Sequence, residues 1–311
     1  MKKNIRYRFR FAGALALTFS CALLAVSCSK NGSPSGDLNF AGLGTFLNAD
    51  GNPTALNSDI HQIDINHARK NYGDLLVISP MDDGVKVSKD TIILSPVEEG
   101  VEYTFSGYFC GQIVNTTKGT IIKLKDVYIE NKDAKPAITS EAKLEISVAK
   151  GSENYIVSRG RSYSRNAALR SKRALVLGGG GNLYVKGKIW HGAEAEDMKI
   201  KGSGNFYFEG TRKGSALKCD SLSVEEGKGF CAYFMNSKNG IKAERTVNLA
   251  SGNFYFYNDG TGIKTATSEE KPDKAHAITL TGGYFYASGV KKPYSTDEGA
   301  FTNSGAHFVE E

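Results

Sequence analysis

The chain has 311 residues, 40% of them apolar, with 35 glycines, 7 prolines, 15 tyrosines, 16 phenylalanines and a single tryptophan. This is a β-rich, turn-rich profile that excludes a disordered chain. The net charge of +6 falls to +1 once Lys2, Lys3, Arg6, Arg8 and Arg10 in the acid-free N-terminal segment are set aside, which excludes a global basic field for nucleic acid.

Those five cations open an export signal. They precede an apolar run, FAGALALTFSCALLAV, that has the length of a signal core and is too short for a comfortable transmembrane helix. The run ends at Ala25-Val26-Ser27-Cys28, which resembles a bacterial lipobox. That resemblance implies cleavage after residue 27, a lipid on Cys28 and attachment to a membrane through the lipid alone, with Ser29 suiting an outer membrane or cell surface. Cys110, Cys219 and Cys231 then remain, so at most one internal disulfide can form. Residues 28–36 (CSKNGSPSG) read as a flexible tether. Residues 37–74 read as an irregular segment with a short helix near His61 to Lys70. The six-residue spacing of His61 and His67 does not suit a helical metal pair.

From Leu75 to the C-terminus the chain reads as strands: LLVISP, KVSKDTIILSP, VEYTFSGYF, GTIIKLKDVYIE. A repeat then takes over. GNLYV at 181–185 returns as GNFYF at 204–208, GFCAYF at 229–234, GNFYFY at 252–257 and GGYFYA at 282–287. A second phrase runs between these copies, as in ALKCDSLSV at 216–224 and GIKAERTVNL at 240–249. A period near 24 residues without helices predicts an all-β array, a parallel β-helix spanning 75–311, with coils about 4.8 Å apart. Residues 162–173 and 265–276 carry insertions that lengthen two coils.

Alternation assigns the faces. Leu183/Val185, Phe206/Phe208, Phe254/Phe256 and Tyr284/Tyr286 are expected inside, as are Leu175/Leu177, Leu222/Val224 and Val247/Leu249. Asn154, Asn182, Asn205 and Asn253 are expected to form a turn ladder. Two rows are expected outside. One holds Tyr184, Tyr207, Cys231, Tyr255 and Phe285, either as a platform for sugar faces or as rings packed on one another. The other holds Arg170, Lys218, Lys242 and Lys264, interrupted by Glu194. Lysines one strand apart repel, which suits an acidic polymer unless they splay into solvent.

The words NGIKAERTVNLASGNFYFY (239–257) and TGIKT…AITLTGGYFYA (261–287), with GTIIKLKDVYIENKDAKPAIT (119–139) before them, resemble bacterial secreted or lipid-anchored proteins with a carbohydrate-binding domain. The resemblance implies a right-handed parallel β-helix that binds plant-type or acidic polysaccharide, in some members with calcium at turn aspartates. Here Asn239 and Thr261 replace the aspartate before Gly-Ile. Only Asp259 remains nearby as a candidate metal ligand, a thinned acidic set against the six to eight oxygens that calcium takes. The exposed acids Glu194, Glu196, Asp197, Asp220, Glu244 and Asp259 form a scattered column rather than the carboxylate pair that hydrolysis needs. Non-catalytic polysaccharide binding is the leading expectation. An adhesin or structural envelope protein that contacts a protein partner is the alternative, and a lyase or hydrolase follows behind.

Overall fold

The computed structural model describes residues 6–8, 39–40, 44–45, 64–160, 166–225, 230–266, 276–297 and 299–310. The lipobox with Cys28, the tether and the inserts at 161–165 and 267–275 lie outside the described residues. The described chain is all-β apart from the five-residue helix Ile65–Arg69.

Three ladders of parallel strands account for most of the structure. The first wall joins Thr91–Leu94, Gln112–Asn115, Ile138–Ser140, Ala167–Ser171 and His191–Glu194, each hydrogen-bonded to the next. It continues through the first halves of Ser215–Val224 and Asn239–Leu249 to Thr261–Thr265 and Lys292–Thr296. The second wall runs from the start of Thr120–Asn131 through Leu144–Val148, Leu175–Gly179 and Asp197–Ile200 to Ala277–Leu280 and Ala300–Asn303. The third runs from the end of Thr120–Asn131 through Glu153–Ser158, Asn182–Gly187, Asn205–Glu209, Cys231–Met235 and Asn253–Tyr257 to Tyr284–Ala287 and His307–Glu310. The chain visits the walls in the same order in every repeat. Partners therefore lie one repeat apart, which is why a period near 24 is visible in the sequence.

Single residues make the corners. Strand Thr120–Asn131 changes wall at Asp126, whose φ of 53° turns the backbone sharply. Strand Ser215–Val224 does so at an irregularity between Cys219 and Ser221.

The interior is one continuous apolar cluster. It takes Ile138, Leu169, Ala193, Leu217, Ile241 and Ile263 from the first wall. The second wall supplies Leu144/Ile146, Leu175/Leu177 and Leu222/Val224, and the third supplies Leu183/Val185 and Phe206/Phe208. Each fully buried side chain of this kind contributes roughly 1.5–3 kcal/mol. Stacked Phe208–Phe234–Phe256 and Phe254–Phe285 rings, with centroids 4.7–5.7 Å apart, continue the column. At the N-terminal end Leu75–Ser79 pairs antiparallel with Glu102–Cys110, and the hairpin Val85–Val87/Thr91–Leu94 finishes the closure. These elements supply partners for strand edges that would otherwise stand open.

The third wall departs from the expected register in three places. Asn253 lies opposite Tyr284 rather than Gly283, so Phe285 and Ala287 point inward, and Tyr284 and Tyr286 do not. Phe285 is fully buried in the apolar interior, which corrects its expected place on the outer row. Cys231, not Gly229, lies opposite Asn205, which puts Tyr233 in the tyrosine row. Glu153, not Asn154, lies opposite Asn182. Turn length causes two of these shifts, and the doubled glycine Gly282-Gly283 causes the one at Tyr284, where the turn is unchanged. The left-handed glycine, with φ from 100° to 112°, stands three residues before Asn182 and Asn205 at Gly179 and Gly202. It stands one residue before Asn253 and Tyr284 at Gly252 and Gly283. Gly283, not Gly282, is the counterpart of Gly252, so matching Asn253 to Gly283 slips the strand by one residue, and a one-residue slip exchanges the faces.

Candidate functional site

Register brings the basic row together. Arg170, Glu194, Lys218, Lys242 and Lys264 occupy successive rungs on the outer face of the first wall, followed by Ser295. Odd neighbours such as Leu169, Ala193, Leu217 and Ile241 anchor the strands in the core, and the alternation turns the charged residues outward.

The row is not uniformly compensated. Lys218 donates to Glu194 at 3.1 Å and lies 3.9 Å from Glu244; Arg170 reaches Glu194 at 3.6 Å. Lys264 lies 3.5 Å from Asp297. Lys242, between Lys218 and Lys264, has no ion pair within 4 Å among the described residues and is half-buried. Its pKa is lowered, first by desolvation and then by the neighbouring Lys218; Glu244 opposes this, and Lys264 and Lys238 add to it. A half-buried cation among cations is costly, so it stands out against the satisfied pairs around it.

Beside the row lies a groove. Its inner chamber, about 280 Å³, is bounded by Trp190, His191, Lys213, Ser215, Lys218, Lys238, Asn239, Lys242 and Lys264. A larger open section of about 780 Å³ shares Trp190, Lys213, Lys238, Asn239 and Lys264 with it and extends to Arg212, Asp259, Lys291, Lys292 and Asp297. The turn residues come from the corner where each repeat passes from the third wall to the first. Trp190 precedes His191–Glu194, Lys213 precedes Ser215, Lys238 precedes Asn239, and Lys291 precedes Lys292.

The Trp190 corner is held by backbone contacts. Thr211 donates to the Trp190 carbonyl from its N–H at 3.0 Å and from its hydroxyl at 3.2 Å. A Cβ at Gly214 would overlap that same carbonyl oxygen, so the corner requires glycine. Behind Trp190 the His191 Nδ1 accepts the Ser215 N–H at 2.9 Å. Burial first, and then Lys218, push the His191 pKa down to about 3. The ring is therefore neutral, with its proton on Nε2. The two carboxylates of the groove are engaged, Asp259 with Arg212 at 3.4 Å and Asp297 with Lys264 at 3.5 Å. Asp259 stands in no group of three or more His, Cys, Asp or Glu side chains able to hold a metal, among the described residues. This does not fit the six to eight oxygens of calcium.

The other outer row is longer than expected and differently disposed. Tyr108, Tyr128, Tyr155, Tyr184, Tyr207, Tyr233, Tyr255 and Tyr286 occupy successive rungs of the third wall. From Tyr155 to Tyr255 the rings are stacked, with centroids 4.4–4.8 Å apart and planes within 12°. Stacking uses both faces of each ring and leaves the edges outward, whereas sugar packing needs a face. Tyr207 is 8% exposed and Tyr255 1%. The segment Asp64–Asp74 straps the first rungs. The Tyr128 hydroxyl donates to the Ile65 carbonyl, the Tyr72 hydroxyl to the Glu153 carbonyl at 2.6 Å, and Arg69 lies 3.4 Å over the Tyr108 ring. Tyr184, Tyr207 and Tyr255 are thus a packed stripe, separate from the basic groove.

Trp190, His191, Lys213, Lys238 and Lys291 were not singled out from the sequence, because all but His191 sit in turns, where the repeat is irregular. The single tryptophan next to a strand of the charged row was the available signal.

No curated protein matches the chain. Among solved structures, one described as the polysaccharide lyase-like protein from C. thermocellum, a gadolinium derivative, is similar at 21% identity. It has a TM-score of 0.55, with 74% of this chain and 92% of that chain covered, a likeness of fold. In sequence, residues 88–198 match a family described as carbohydrate-binding domain-containing protein.

Proposed function

We propose that this is a lipid-anchored envelope protein whose three walls form a right-handed parallel β-helix that binds polysaccharide without cleaving it. The ligand is an acidic polysaccharide, and the groove beside Trp190 is where it binds. The observation that carries this reading is Lys242, a half-buried lysine flanked on its ladder by Lys218 and Lys264 and without an ion pair within 4 Å among the described residues. An anionic sugar laid in the groove supplies the missing charge, and Trp190 offers an apolar surface for the ring. The carbohydrate-binding description of the matched family over residues 88–198 supports the ligand class. Both groove carboxylates are held by cations, which supports binding rather than hydrolysis.

Affinity electrophoresis through gels containing acidic or neutral polysaccharide tests the reading. Retardation by the acidic polymer alone, without new reducing ends or unsaturated uronate, is expected. Equal retardation by both polymers, or product formation, contradicts it. For the anchor, the sequence Ala25-Val26-Ser27-Cys28 predicts that a fatty-acid label follows the protein into the membrane fraction and that Cys28→Ser abolishes the label. Label retained by Cys28→Ser removes the lipid assignment.

A further inference from the structure

The two ends of the ladders are built differently. At the N-terminal end antiparallel strands close the walls, Leu75–Ser79 along Glu102–Cys110 and Val85–Val87 along Thr91–Leu94. At the C-terminal end Lys292–Thr296, Ala300–Asn303 and His307–Glu310 each pair with the repeat before them, and no described strand lies on their other edge. The three walls therefore end in three open strand edges, a template for further pairing.

Each wall also sends one ring into the centre of this end. Tyr294 and Phe301 stack with centroids 3.8 Å apart, and Phe308 lies 5.9 Å from Tyr294 and 6.5 Å from Phe301. Their partners one repeat earlier, Ile263, Ile278 and Phe285, are fully buried. Tyr294, in contrast, is 38% exposed, and Phe301 and Phe308 are only partly buried. An apolar centre inside a rim of backbone donors and acceptors has the make-up of a protein interface.

We infer that this end docks on the same end of a second copy, forming a two-fold, end-to-end dimer. The occupant has to offer three strand edges around an apolar centre at matching spacing. A second C-terminal repeat does so, and the antiparallel closing strands of the N-terminal end do not. Like ends meeting about a two-fold axis bring their strands together antiparallel, and such a contact closes at two copies. Residues 291–310 make the face, about 20 residues a side, which reaches the lower bound of a stable interface. They hold two lysines and three acidic residues, so the copies meet with mixed signs rather than one repelling sign. Pro293 brings no N–H to the edge of the first wall, which leaves the backbone pairing chiefly to the second and third.

Sedimentation equilibrium of the whole protein, in a density-matched detergent so that no lipid or signal drives association, tests this. A monomer–dimer equilibrium with a dissociation constant of roughly 1–100 μM is expected. Tyr294→Lys sets like charges against each other at the centre, and Thr302→Lys adds one to the exposed edge of the second wall; each is expected to weaken the dimer about tenfold or more. Thr302→Lys decides the matter if Tyr294→Lys does not fold. Val97→Lys, at a fully exposed position near the opposite end, is expected to leave the dimer intact. A monomer at about 100 μM, assemblies larger than two copies, or a dimer that survives the folded lysine variants overturns the inference.

Discussion

At the scale of single residues, Lys242 and His191 carry opposite lessons about burial. Lys242 is a cation kept among cations, so removing its charge relieves repulsion in the unliganded protein. Lys242→Ala is expected to leave the melting temperature equal or slightly raised while weakening acidic polysaccharide about tenfold, the worth of one charge-assisted hydrogen bond. A lowered melting temperature with unchanged affinity would assign Lys242 a structural role. Because its pKa is lowered from the ordinary lysine value of 10.5, binding is expected to hold through neutral pH and to decline on the alkaline side earlier than an ordinary lysine would dictate. His191 is a base whose folded pKa of about 3 lies below its unfolded value of 6.5. The unfolded chain therefore binds the proton first, and the folded state loses stability as pH falls below about 6.5. The loss approaches about 1.4 kcal/mol per pH unit until the folded pKa is reached. Chemical denaturation between pH 7 and 4 checks this, and His191→Gln should flatten that part of the profile. The tyrosines behave as core. Tyr207→Ala is expected to cost about 3 kcal/mol, in the range of large aromatic truncations, without altering polysaccharide affinity.

At the scale of elements, the walls were legible and the corners were not. Leu175/Leu177 and Leu222/Val224 are expected inside and lie in the apolar cluster on one wall, because alternation and a constant period both apply within strands. The basic row was legible for the same reason. Cys231 and Asn154 were misplaced where turns change length, and Phe285 where the doubled Gly282-Gly283 hides which glycine is the counterpart of Gly252. The groove escaped notice because half of it consists of such turns. Gly214 is the position on which its corner depends. Gly214→Ala is expected to destabilise by about 2–3 kcal/mol and to weaken polysaccharide binding together, because the new methyl group must displace the Trp190 carbonyl. Denaturant titration and the affinity gel should therefore move in the same direction for this variant, in contrast to Lys242→Ala.

At the scale of the molecule, stability and recognition occupy different walls. The inner cluster and the tyrosine stripe run the length of the ladders and hold coil to coil. The cations of the groove lie on the first wall and its corner, outside both clusters. This separation means that stability variants and binding variants should sort by wall: Tyr207→Ala on the third, Lys242→Ala on the first, and Gly214→Ala at the corner with both effects. It also explains why a net charge of +1 beyond the signal is compatible with an anionic ligand. The groove cations sit on four successive repeats, from Lys213 and Lys218 to Lys291 and Lys292, while acids such as Glu141, Glu145 and Glu225 pair with lysines elsewhere. The most direct measurement is the affinity of the whole protein for fully ionised polyuronate, at low and high salt, compared with a triple variant carrying Ala at positions 218, 242 and 264. The account predicts salt-sensitive binding to the wild type and none to a folded triple variant; equal binding by the two proteins would contradict it.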